Sequence, residues 1–161
     1  MKIVIESIPV EQKPVLARML ELYQYDFTEF TSDDLNADGC FGYKYLDAYW
    51  IEEGRYPFFI RVDGRLAGFA LVRSCAEYNA LEHPHNIAEF FVMKKYRRCG
   101  IGKTAAMELF DRFPGGWEVS VLRNNLPAKR FWEAAVAAYT GGRYAAFTAA
   151  EKEGFTFEND K

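Results

Sequence analysis

The stretch from Ile87 to Met107, IAEFFVMKKYRRCGIGKTAAM, constrains this chain more than any other. An apolar run that reads as a strand passes into two arginines, two closely spaced glycines and a helical pattern. That layout suits a pyrophosphate. The strand fixes the loop, the glycines let backbone N–H groups approach phosphate oxygens, and the helix N-terminus presents partial positive charge. Arg97, Arg98 and Lys103 add full charges beside it.

Spacing separates the motifs that place glycines after a strand. Gly102-Lys103-Thr104 looks like the end of GxxxxGK[ST], but the first glycine of that loop would fall at position 97, which is Arg97. Gly100, Gly102 and Ala105 satisfy the GxGxxA fingerprint of dinucleotide-binding folds, with Glu118 roughly twenty residues further on. Glu118 lies near the start of the next apolar run, however. A ribose-binding acid belongs at the carboxyl end of that strand, where this chain has Arg123. The glycines also come late, with only about sixty residues left to complete a doubly wound sheet.

Arg97-Arg98-Cys99-Gly100-Ile101-Gly102 matches R/Q-x-x-G-x-G/A, and on these residues the chain resembles the GCN5-related N-acetyltransferase (GNAT) superfamily of acetyl-CoA enzymes. The resemblance continues downstream. A strand from Trp117 to Leu122 is followed by Asn125, Ala128, Phe131 and Trp132, close to that superfamily's N-x-x-A-x-x-[FL]-Y pattern. With the strands before them, the two motifs cover roughly residues 58 to 135, and the N-terminal third agrees only in the order of its elements. The resemblance implies one domain over residues 1–161 with the acyl-CoA N-acyltransferase fold, a mixed α/β architecture whose central sheet is splayed and flanked by helices.

Composition agrees with a single domain of this size, since 161 residues can bury a substantial core. With half its residues hydrophobic and 27% charged, the chain is globular rather than disordered. A net charge of -3 argues against a general nucleic-acid binder, which would carry a basic excess or stripe. Cys40, Cys75 and Cys99 are too few and too irregular for a disulfide framework or a four-ligand zinc site, so a reducing cytoplasm and no metal are expected. The start is interrupted by charge too soon for a signal peptide, and no run of about eighteen apolar residues exists. A soluble protein with no membrane partner is the expectation.

Residues 2 to 6 read as a first strand, followed after Pro9 by a helical stripe of Val15, Leu16, Met19, Leu20, Tyr23, Phe27 and Phe30. Thr31 to Gly42 reads as a loop and Tyr45 to Glu52 as a short helix. Phe58 to Val62, Asp63-Gly64 and Leu66 to Val72 form a hairpin signal. Residues 87 to 93 make the next strand. Helical periodicity through Ala105, Ala106, Leu109, Phe110 and Phe113 then ends at Pro114-Gly115-Gly116. A last helix from Pro127 to about Tyr139 precedes Gly141-Gly142, and short strands near Tyr144 to Thr148 and Phe155 to Phe157 finish a mixed sheet.

The resemblance also implies a site. The sheet would part between the strands at 87–93 and 117–122 to admit the pantetheine arm of acetyl-CoA, whose amides pair with the backbone of Phe90, Phe91 and Val92. The pyrophosphate would rest on the loop formed by Arg97, Arg98, Cys99, Gly100, Ile101, Gly102 and Lys103, with Asn125, Ala128 and Trp132 on the far side. Glu89, on the same strand, is the candidate base, acting directly or through a water, and the N–H of Val92 the candidate donor to the thioester carbonyl. On its residue type alone, Glu89 equally suits the polar face of a half-buried strand.

The sequence departs from the pattern at the general acid. Family members often carry a tyrosine where this chain has Trp132, and an indole N–H does not release a proton to a thiolate. Another tyrosine serves, water protonates the thiolate, or the protein binds acyl-CoA without transferring it. His83 and His85 lie just before the candidate catalytic strand as a conceivable base or substrate contact, though H-x-H alone is a weak metal signal. Tyr23, Tyr25, Phe27, Phe30, Tyr45, Tyr49 and Trp50 crowd the first third, where most must be core and a minority line an acceptor groove. Asp33, Asp34 and Asp38 would attract a cationic amine. The resemblance therefore implies transfer of an acetyl group from acetyl-CoA to the primary amine of a small molecule or peptide, with a homodimer compatible. An acyl-CoA-binding regulatory or sensor module is the alternative.

Overall fold

Asp63 and Gly64 adopt left-handed backbone, with φ of 50° and 80°, and close a hairpin between β2 (Arg55–Val62) and β3 (Arg65–Arg73). Two consecutive positive φ values match the twist of antiparallel strands, which is why the Asp-Gly pair marked this turn. The computed structural model describes residues 1–160. In it β1 (Ile3–Ser7) pairs with β2, and β3 pairs with β4 (His85–Val92), all antiparallel. β5 (Gly115–Leu122) lies parallel to β4, and β7 (Lys152–Asn159) and β6 (Ala145–Thr148) complete a seven-stranded mixed sheet in the order β1-β2-β3-β4-β5-β7-β6.

Helices cover both faces. α1 (Lys13–Phe27) buries Leu16, Leu20 and Tyr23 at the expected helical spacing, and these pack with Tyr49 of α2 (Ala48–Ile51) on Phe59, Phe69, Leu71 and Phe91. α3 (Ile101–Arg112) and α4 (Leu126–Thr140) cover the other face, where Phe110 and Trp132 meet Trp117 and Phe157. β3 is covered on both sides, so residues 67 to 72 are buried without alternation.

Several boundaries differ from the expectation: β2, β4 and β5 each begin two or three residues early, at Arg55, His85 and Gly115. α1 stops at Phe27, leaving Phe30 outside it, because both the N–H and the hydroxyl of Thr28 bond back to the Tyr25 carbonyl (3.1 and 2.7 Å). The helix expected over 45–52 shrinks to α2, since residues 43 to 50 turn through successive i to i+3 bonds. β7 is longer than expected at both ends and runs the whole length of β5.

Parallel pairing of β4 with β5 consists of two rungs, His85 opposite Trp117 and Asn86 opposite Glu118. Beyond them the strands part. The pairing of β3 with β4 slips at the same place: Val72 faces Ile87 while Leu71 faces Glu89, which leaves Ala88 as an extra residue. A bulge of this kind bends its strand and steepens the local twist, which accounts for β4 leaving β5 just after Asn86.

Candidate active site

The bulge at Ala88 decides where Glu89 points. Ile87 packs in the core under α3 and α4, so simple alternation would send Glu89 to the same side. With one residue inserted, parity reverses. Phe90 and Val92 take the α3/α4 side, Ala88 and Phe91 the α1 side, and the Glu89 carboxylate accepts a hydrogen bond from the Tyr23 hydroxyl of α1. The sequence carried no signal for this reversal, because an inserted strand residue looks like any other.

Burial is the largest influence on Glu89 and raises its pKa to about 6; the Tyr23 hydrogen bond and Lys152 pull it down, and the charge of Glu77 pushes it up. Tyr23 is 8% exposed, its ring held edge-on by Phe27, Phe69 and Phe91 with centroids 4.6, 5.4 and 5.9 Å away. Its hydroxyl oxygen also accepts from the Phe90 N–H, and burial first, then the Glu89 charge, hold its pKa well above the usual tyrosine value. Tyr43 and Tyr49 complete this wall. Both are raised, first by burial, and both sense the Glu89 charge. The Tyr49 hydroxyl is buried with no partner in hydrogen-bonding geometry, beside Tyr43 and the Arg55 guanidinium, which stacks over the rings of Tyr45 and Tyr49 at 5.5 and 5.3 Å. Of these residues, Tyr23, Tyr45 and Tyr49 belong to the aromatic crowding of the first third, which did not single them out; Tyr43, Arg55, Glu77 and Lys152 had no pattern to mark them.

The edge of β4 that faces the gap is set by register. The Met93 N–H bonds to the Ala67 carbonyl at 2.8 Å, so alternate residues of β4 turn their peptide groups toward β3, Phe91 among them. Phe90 and Val92 therefore turn theirs to the open side. Arg97 ties the end of this edge down, donating from Nε to the Val92 carbonyl (2.7 Å) and from its terminal nitrogen to Asp26 of α1 (2.5 Å). Arg97 is exposed like Arg98 and Lys103, but its guanidinium is engaged within the protein.

At the mouth of the gap, Arg98 and Gly100 both have left-handed backbone, with φ of 63° and 78°. Gly100 is the N-cap of α3, and no side chain caps that helix, so its first-turn N–H groups and positive dipole end face outward beside the two exposed cations. Gly102 lets α3 pack close to α4: a Cβ there would lie 3.0 Å from the Phe131 ring, tighter than ordinary contact. Cys99 is exposed, and its thiol donates to the Arg97 carbonyl at 3.4 Å. A loop of this form fits a pyrophosphate.

Across the gap, Asn125 caps α4 by accepting from the Ala128 N–H at 3.1 Å, so the two residues act as one unit at the end of β5. Trp132 is a core residue whose ring meets Phe90 at 4.9 Å. The Tyr139 hydroxyl donates to Asp111 of α3 (2.8 Å). His85 lies at the closed end of the strands, its ring tilted against Phe113 and Trp117 at 5.1 and 5.4 Å, and is lowered in pKa chiefly by burial. An open depression of about 500 Å³ there is lined by His83, His85, Gly115, Gly116 and Glu158, apart from Glu89. Among the described residues, no three His, Cys, Asp or Glu side chains group as metal ligands, and no helix is long and apolar enough to cross a membrane.

Comparisons with known proteins agree with this fold. The fold is similar to that of an acetyltransferase from Thermus thermophilus (TM-score 0.71, 14% identity, covering 98% of this chain and 97% of that one). It is also similar to the PaiA N-acetyltransferase of Thermoplasma acidophilum, solved with coenzyme A (0.62, 15%, 98% and 99%). The ribosomal-protein-S18-alanine N-acetyltransferase of Escherichia coli is a third (0.61, 14%, 99% and 96%). A search of curated protein sequences finds no significant match. The model of the acetyltransferase (GNAT) family matches residues 16–137, three quarters of the sequence, and this chain belongs to that family.

Proposed function

We propose that this protein transfers an acetyl group from acetyl-CoA to a primary amine by direct attack in a ternary complex. The observation that carries this reading is the parting of β4 from β5 after two rungs, with Glu89 on one side and the uncapped α3 loop at the mouth. Pantetheine amides would pair along this edge with the Phe90 carbonyl and the Val92 N–H, which the Tyr23 and Arg97 contacts leave open, and the pyrophosphate would lie on residues 98 to 103. Asn125 and Ala128 would border the far side.

The acceptor ammonium, with an unperturbed pKa near 10.4 for a lysine-like amine, must first lose a proton. Glu89 accepts it, directly or through water. The amine nitrogen then bonds to the thioester carbon while the Val92 N–H polarises the carbonyl, and the C–S bond breaks on collapse of the adduct. The nitrogen's remaining excess proton leaves to solvent, and the thiolate takes one from solvent, since Trp132 cannot supply it. A base with a pKa of about 6 is mostly ionised at neutral pH yet more basic than an ordinary carboxylate. Tyr23, Tyr43, Tyr49 and Glu77 around it make the acceptor side aromatic and anionic, as a cationic amine requires.

Calorimetric titration with acetyl-CoA, with NADPH as comparison, tests the first half. Binding of acetyl-CoA alone supports the reading, and silence would reduce it to a likeness of fold. Intersecting initial-rate patterns with a turned-over amine, and no acetylated Cys99 when amine is omitted, test direct transfer. The replacement of tyrosine by Trp132 favours a second reading, an acyl-CoA sensor. Tight binding without turnover of any amine would select it.

A further inference from the structure

Glu118 is 1% exposed, and no cation pairs with it among the ion pairs of the described residues. Its carboxylate instead accepts three hydrogen bonds from one short segment between β3 and β4: the Glu77 N–H at 2.7 Å, the Tyr78 N–H at 3.0 Å and the Asn79 side-chain amide at 2.8 Å. Its partner on the last parallel rung, Asn86, holds the same segment through the Cys75 carbonyl at 2.7 Å. The two side chains that close the paired part of β4 and β5 thus both grip one loop.

Parity places that loop on the acceptor side of the sheet. Trp117, Val119 and Val121 of β5 point under α3 and α4, so Glu118 points to the face on which Glu89 and α1 lie. The loop carries Glu77 close enough to Glu89 for its charge to be felt there, and Arg73 anchors Glu77 at 2.9 Å. Tyr78 meets Phe147 of β6 with ring centroids 5.9 Å apart, and Phe147 lies opposite Gly154, which faces Ser120, so the segment crosses the middle of β5 and β7 to reach β6. Nothing in the acetyl-transfer steps uses Glu118, and a buried carboxylate is a costly way to hold a loop whose position is unimportant.

We propose that Glu118 is a positioning residue for the amine acceptor, fixing the segment from Glu77 to Asn79 as the wall of the cleft opposite Tyr23, Tyr43 and Tyr49. The proposal rests on the acetyltransferase reading. An amine entering over Glu89 passes between the tyrosines and this loop, and the loop keeps Glu77 at a fixed distance from the base.

Four proteins test it: wild type, Glu118→Gln, Asn79→Ala and Glu77→Gln. Each is assayed with acetyl-CoA and with putrescine, L-lysine amide and a short peptide bearing a free α-amine. Glutamine has one acceptor oxygen and must turn its NH₂ toward an N–H donor, so it loses at least one of the three bonds. The expected result is a KM for the amine raised about tenfold in Glu118→Gln and less in Asn79→Ala, from the loss of charged hydrogen bonds. The KM for acetyl-CoA stays within about twofold.

A second readout separates positioning from general loosening. The groups around Glu89 are Tyr23 from α1, Tyr43 from the preceding loop, Tyr49 from α2, Lys152 from β7 and Glu77 from this loop. Only Glu77 moves away when the latch opens, so the acid limb of kcat/KM shifts to lower pH in Glu118→Gln, and Glu77→Gln in an intact loop reproduces the shift. If Glu118→Gln does not fold, Asn79→Ala and Glu77→Gln decide. A folded variant with an unchanged amine KM, or one that loses acetyl-CoA and amine in equal measure, overturns the proposal. A wild-type protein that acetylates none of the three amines overturns the acetyltransferase reading for these acceptor classes, and the acceptor wall with it. Wild-type turnover with unaffected variants overturns the wall alone.

Discussion

Tyr23 of α1 donates a hydrogen bond to Glu89 of β4, joining two residues 66 positions apart in sequence at the point where the sheet opens. The bond stabilises the carboxylate form of a group that burial pushes the other way. Tyr23→Phe removes it and leaves the ring packing in place, so the pKa of Glu89 rises further. The acid limb of kcat/KM is expected to move above pH 6, with activity at pH 7 reduced and largely restored at pH 8 to 9. A pH–rate profile of the variant checks this; a uniform loss at all pH values would make Tyr23 a packing residue only.

Glu89→Gln separates chemistry from stability. Turnover is expected to fall by about 10²–10⁴-fold, the usual worth of a general base, with acetyl-CoA binding retained. Because the folded-state pKa of about 6 exceeds the ordinary 4.5, the folded protein binds more protons than the unfolded chain between those values. The stability contributed by protonated Glu89 is present below about pH 4.5 and is lost as pH rises through 6. Glutamine escapes that loss, by about 2 kcal/mol at most above pH 7, less whatever the charged Tyr23 bond contributed. Melting temperatures of the two proteins at pH 4 and pH 8 test this: the variant should gain relative to wild type only at the higher pH.

The elements legible in the sequence are those with a local cause. The Asp63-Gly64 turn, the Gly100 entry to α3 and the Gly141 end of α4 were readable because each needs left-handed backbone, and Gly102 because a side chain there would crowd Phe131. The buried stripe of α1 was readable because its period is helical. What stayed hidden depends on pairing over distance. The inserted Ala88 turns Glu89 to the α1 face, Lys152 reaches Glu89 only because β7 lies beside β5, and Glu118 acquires its loop through Asn79, 39 residues earlier. Glu118 shows the limit well. Spacing alone made it a ribose candidate, position on the strand argued against that, and only the fold revealed its partners.

Gly100→Trp tests the phosphate loop. No atom lies within 4 Å of a Cβ built at Gly100, so an indole there meets no core, although the left-handed backbone costs about 1–2 kcal/mol for a residue other than glycine. The expected outcome is a folded protein with a slightly lower melting temperature and no measurable acetyl-CoA binding. Retained binding in calorimetry would place the pyrophosphate elsewhere.

Arg97 differs from its neighbours in what its charge does. Arg98 and Lys103 are exposed beside the uncapped N-terminus of α3, whereas the Arg97 guanidinium bridges the Val92 carbonyl and Asp26. Binding of an anionic ligand by exposed cations weakens with ionic strength, while an engaged, partly screened ion pair contributes through order of the loop. Arg98→Ala and Lys103→Ala are therefore expected to weaken acetyl-CoA binding at low salt and to flatten its dependence on salt. Arg97→Ala is expected to leave that slope nearly unchanged while lowering both affinity and melting temperature, because it frees the end of β4 from α1. Titrations from 20 to 500 mM NaCl, roughly the range over which the screening length falls severalfold, distinguish the two roles. A salt slope reduced equally in all three variants would show Arg97 turning to the ligand and abandoning Asp26 on binding.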